Sequence, residues 1–101
     1  MTQRAGLKVA KAILTKWSCS DCEIDQILAD EQDLDLRISY ILNIHARLRT
    51  LFENPDNVYG FMSYPNHNDF FAGRSPLELI INGNLSDLKA VCDHIQSIGE
   101  V

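Results

Sequence analysis

The side chains of this 101-residue chain best suited to chemistry are its three cysteines and three histidines. Cys19-Ser-Asp-Cys22 has the C-x-x-C spacing of redox and zinc sites. A structural zinc takes about four ligands, and only Cys92 and His94 are at hand to complete a set. A thioredoxin-like motif needs a strand–helix–strand context, which the pattern lacks. The three cysteines are therefore read as ordinary thiols, with no metal site. His45 falls on an apolar stripe and is read as a core or edge histidine. His67, in Asn66-His67-Asn68 beside Asp69, is the better general base. Its neighbouring hydroxyls are Ser63 and Ser75, and Ser75 already has a role as a helix cap. There is no phosphate-cradling glycine loop, no H-E-x-x-H and no G-x-S-x-G. The expectation is a protein that is not an enzyme and takes no cofactor.

A second set of residues suits recognition. Arg74 sits between a glycine and a helix cap, where it either braces the core through Glu78 or Glu53 or contacts a partner from a rim. Phe70 and Phe71 are adjacent, so in most backbones they cannot face the same core. One packs inside and one outside, or neighbouring helices bury both. Tyr64 lies close by. Tyr64, Phe70, Phe71, Arg74 and Ser75 are the candidate partner-binding residues.

These residues need elements to hold them, and every element reads as helix. The fold class expected is all-α, a compact bundle of about six helices with a long central helix. The first spans roughly residues 4–16, with Leu7, Ala10, Ile13, Leu14 and Trp17 on one face. Ser20 caps the second, with Glu23 three residues on, and that helix ends near Ala29. The strongest pattern runs from about Leu36 to Glu53, where Ile38, Ile41, Leu42, His45, Leu48, Leu51 and Phe52 recur at three and four. Asn54-Pro55 stops it and starts a fourth helix. Tyr64 to Asp69 is a turn-rich loop. Ser75 then caps a fifth helix, with Pro76 in its first turn and Glu78 placed to close a capping box, and Asn82-Gly83 ends it. The last helix starts at Asn84, and Gly99 is a natural C-cap.

The net charge of −5 hides a division. Residues 1–16 carry Arg4, Lys8, Lys11 and Lys16 and no acid, whereas residues 17–36 carry seven acids and no base. Arg4, Lys8 and Lys11 are candidate DNA or phosphate contacts. A helix-turn-helix reader would lie in these first helices, and carboxylates there repel phosphate, which argues against DNA readout by this chain alone. The start has no separate apolar core of the kind a secretory signal carries, and no run approaches a membrane span. A cytoplasmic protein with no membrane contact is expected.

The second half resembles the toxin-binding domain of the Xre/MbcA/ParS antitoxins. The likeness runs through RISYILNIHARLRTLFENPDN, VYGFMSYPN, FFAGRSPLELIINGN and LKAVCDHIQSI, about residues 37–98. It implies residues 37–101 as the toxin-binding domain, after a degenerate helix-turn-helix-like N-terminal segment of residues 1–36 that could support dimerisation. It further implies a type II antitoxin, itself a homo-oligomer, that neutralises a RES-domain, NAD-degrading toxin by covering its active-site entrance. The alternative is a small DNA-binding autorepressor. The departure lies at the N-terminus, where the acidic block takes the place of a recognition helix.

Overall fold

The computed structural model describes residues 6–28, 32–67 and 70–98. Among them are six helices and no strand: α1 (Leu7–Lys16), α2 (Asp21–Ile27), α3 (Leu34–Leu51), α4 (Pro55–Gly60), α5 (Pro76–Ile80) and α6 (Leu85–Ser97). The 18-residue α3 is the central pillar, with α1, α4 and α6 packed around it and α5 against α6.

Local chemistry sets most of the boundaries. Ser20 forms a complete capping box with Glu23: its Oγ accepts from the Glu23 amide at 3.2 Å, and its own amide donates to Glu23 Oε1 at 2.8 Å. Asn54 accepts from the Asp56 amide at 2.8 Å, with Pro55 in the first turn of α4. Asn84 accepts from the Ser86 and Asp87 amides. Each such cap satisfies an amide that the helix itself leaves unpaired. At α5 only half of the expected box forms. Ser75 Oγ accepts from the Glu78 amide at 3.2 Å, but no return bond to the Glu78 carboxylate accompanies it among the described residues. Helix α1 begins at Leu7, with Gly6 as its N-cap. Arg4, Ala29 and Gly99, expected at helix ends, lie outside the described residues.

One apolar core unites the elements. Trp17, Leu14, Ile27, Ile41, Ile44, Leu48, Met62, Phe71, Ile80, Leu88, Val91 and Ile95 are all buried in it. The first two helices contribute to it directly, and the boundary expected at residue 36 falls inside the first turn of α3. On α3, Ile44 is fully buried, although the expected stripe passed it over, whereas Leu42, His45 and Leu51 pack only at its edge. No helix among the described residues is long and apolar enough to cross a membrane.

Arg37 joins parts of the chain that are far apart in sequence. It is only 6% exposed. Its Nε donates to Asp33 at 2.5 Å, and its Nη1 donates to the carbonyls of Ile27 at 2.8 Å and Gly83 at 2.7 Å. Two of these acceptors are backbone oxygens, one ending α2 and the other in the turn between α5 and α6. Gln26 adds a bond to the Asn82 carbonyl at 3.1 Å. The approach is close enough that a Cβ on Gly83, whose φ is +79°, would sit 2.5 Å from the Gln26 carbonyl oxygen. Part of the acidic block thus has a structural task. Asp33 pairs with Arg37, Glu23 closes the α2 box, and Asp21 lies in the first turn of α2, where the helix dipole favours a carboxylate.

Candidate functional site

The loop before α5 is closed by the backbone. The Asn66 amide donates to the Arg74 carbonyl at 3.0 Å, and the Gly73 amide donates to the Asn66 carbonyl at 2.8 Å. The Leu77 amide ties the start of α5 to the Met62 carbonyl at 2.9 Å. Ala72 and Gly73 both take positive φ, 54° and 86°. This left-handed pair, costly at the alanine, reverses the chain just after Phe71.

The reversal separates the two phenylalanines. Phe71 is fully buried, whereas Phe70 is 37% exposed. Their rings meet edge to face, with centroids 4.9 Å apart. His94 of α6 holds both: it stacks on Phe70 at 4.5 Å and 7°, and it meets Phe71 edge-on at 5.1 Å. Phe70 is therefore an aromatic stacked on an imidazole yet still partly open to solvent, a pre-ordered surface of the kind that binding anchors use.

Phe70 and Arg74 edge a groove of about 320 Å³ between α5 and α6. Leu79, Ala90 and Val91 form its apolar part, and Glu78, Asn82 and Asp87 its polar part. Asn82 is fixed there, donating to Asp87 at 2.9 Å and accepting from the Asn84 amide at 2.7 Å. Arg74 is exposed. Its Nε donates to the Phe71 carbonyl at 3.2 Å, while its terminal nitrogens have no hydrogen bond and no ion pair among the described residues. Neither of the braces expected for it, Glu78 or Glu53, engages it.

The five expected recognition residues thus divide. Phe70 and Arg74 come together at the groove. Tyr64 is 61% exposed, on the same loop but outside the groove lining. Phe71 and Ser75 are withdrawn from the surface, at 0% and 6% exposure. Phe71 packs into the core and against His94, and Ser75 is engaged as the cap of α5. Arg37 and His94, which organise the region, were not expected to do so. The signal for Arg37 was a lone arginine among apolar and acidic residues at the start of a helix.

The other candidates fall elsewhere. Lys8 and Lys11 are exposed on α1, and Lys11 shares a cleft with Asp25 of α2. Lys16 lies over the Tyr59 ring at 5.8 Å. Cys19 is buried, and burial, with Glu23 nearby, pushes its thiol up to about 11. Burial likewise raises Cys92, with Asp93 adding to it, while Cys22 is exposed. His67 is exposed and flanks Gly73. No cluster of metal-ligating side chains occurs among the described residues.

The loop thus brings together an exposed aromatic, an arginine whose terminal nitrogens are unbonded among the described residues, and a groove. Residues 47–99, just over half of the chain, match the family model of the antitoxin Xre/MbcA/ParS C-terminal toxin-binding domain. The chain belongs to this family of antitoxin domains. No curated protein and no solved structure matches it.

Proposed function

We propose that the chain is the antitoxin of a type II pair, and that it neutralises a RES-type, NAD-degrading toxin by laying the α5–α6 groove and the preceding loop over the active-site entrance. The observation that carries the reading is coincidence in place. The family match spans the residues that build the groove and its two exposed edges. Within that surface the contacts narrow to Tyr64, Phe70 and Arg74. Phe71, Ser75 and His94 act from beneath by holding the loop.

The physical logic is that of an interface anchor. Aromatic and arginine side chains dominate binding energy where they are pre-ordered and can be desolvated. Phe70 has lost much of its freedom to His94 already, and Arg74 is tethered through Nε while its terminal nitrogens stay available for a bidentate acceptor. The test is growth rescue on co-expression with the RES-domain protein of the same operon. Wild type restores growth and Arg74→Glu restores it poorly. Rescue by Arg74→Glu and Phe70→Ala at wild-type level would remove the groove from the mechanism.

A further inference from the structure

A second concave surface, made by the end of α3 and by α4, shares no lining residue with the groove above. It has a volume of about 540 Å³, within the roughly 300–1,000 Å³ of small-molecule sites. Phe52, Pro55, Val58 and Tyr59 give it an apolar wall, His45 and Arg49 stand one turn apart on α3, and Glu53 lies just past the end of that helix. Residues four apart on a helix lie about 5–6 Å apart at Cβ, so His45 and Arg49 can address the same pair of oxygens.

The His45 ring is positioned by stacking on Tyr59, with centroids 5.5 Å apart and planes 19° from parallel. Its Nδ1 is buried without a hydrogen-bond partner among the described residues. A buried lone pair is better tolerated without a partner than a buried N–H. The ring proton therefore belongs on Nε2, the edge that remains to meet a ligand. Burial and the charge of Arg49 both hold His45 below its ordinary value, so near neutral pH the imidazole is an uncharged donor. Arg49 is exposed and has no hydrogen bond or ion pair among the described residues. The Thr50 hydroxyl is already committed as a donor to the Arg47 carbonyl at 2.7 Å.

We infer that this cleft binds a monoanion carrying an apolar group, its carboxylate between the His45 Nε2–H and the Arg49 guanidinium and its body on Tyr59, Val58 and Phe52. The donor set selects the anion, because His45 and Arg49 both offer N–H and neither offers an acceptor to the cleft. Glu53 at the same rim selects a single charge, since a polyanion would meet its carboxylate. The apolar wall selects an aromatic or branched aliphatic body. Two sources share this chemistry, a free organic acid and the C-terminal end of a peptide. The site does not depend on the toxin-binding reading, and losing it leaves toxin neutralisation in place.

The experiment is an NMR titration of the full chain with benzoate, benzyl alcohol, acetyl-Gly-Phe and the amide of that dipeptide. Benzoate is expected to give saturable shifts at His45, Arg49 and Tyr59 in the millimolar range, at least fivefold tighter than benzyl alcohol. Arg49→Gln, an exposed change that leaves the fold intact, should remove that preference. His45→Phe, which keeps the ring on Tyr59, should weaken benzoate and not benzyl alcohol. Tighter binding of the free-acid dipeptide than of benzoate points to a peptide end, and the reverse order to a small acid. Equal binding of benzoate and benzyl alcohol, a benzoate affinity indifferent to Arg49→Gln, or no saturable shift at all overturns the inference.

Discussion

Arg37 and Arg74 carry the same side chain and do opposite things. Arg37 is sunk among the end of α2, the start of α3 and the turn before α6, bonded to two carbonyls and a carboxylate. Arg74 stands at the rim of the α5–α6 groove, with one bond to the backbone of its own loop and its terminal nitrogens unbonded among the described residues. The first guanidinium is spent on the fold and the second is held in reserve. A buried arginine organises the chain by removing the alternatives open to its acceptors. An exposed one keeps its donors for whatever arrives.

The comparison breaks first on stability. Arg37→Met leaves Asp33 unpaired and the Ile27 and Gly83 carbonyls without their donor, which costs about 3 kcal/mol. For a domain of this size that lowers the melting temperature by on the order of 15 °C, readable by circular dichroism. Gly83→Ala attacks the same junction from the other side. Its Cβ meets the Gln26 carbonyl oxygen at 2.5 Å, in a left-handed backbone. The cost is about 2 kcal/mol in chemical denaturation. Arg74→Glu should change unfolding by no more than about 0.5 kcal/mol while weakening toxin binding by about tenfold to a hundredfold. A fall in stability at Arg74 as large as that at Arg37 would erase the distinction.

The smallest effect concerns pH. His45 has its folded value lowered, so below the ordinary histidine value the unfolded chain binds a proton that the folded chain resists. Stability then declines as pH falls through about 6.5, the unfolded value, and stops declining once the pH is below the folded value. His45→Phe should flatten that part of the stability profile. An unchanged profile would show that His45 contributes nothing to it.

Much of this was legible in the chain because it is local. Ser20, Asn54, Ser75 and Asn84 each cap a helix through amides two or three residues away, and such contacts can be read from spacing alone. The long α3 and its apolar face were legible for the same reason. Arg37 was not, because its carbonyl partners lie 10 and 46 residues away and no periodicity encodes them. The choice between Phe70 and Phe71 was likewise hidden. Left-handed turns at Ala72 and Gly73 set it, and His94, on a different helix, holds it. The completed box at Ser20 and the half-box at Ser75 share a pattern, and only the surrounding packing separates them.

The central claim is that the Phe70 and Arg74 edge of the α5–α6 groove covers the toxin's active site. Its most direct measurement is NAD consumption by a purified RES-domain protein, the partner proposed above, titrated with wild-type chain, Arg74→Glu, and Asp25→Lys as a charge-reversal control on the exposed face of α2. Wild type and Asp25→Lys should inhibit alike, and Arg74→Glu should need at least tenfold more protein for the same inhibition. Inhibition by Arg74→Glu indistinguishable from wild type would contradict the account.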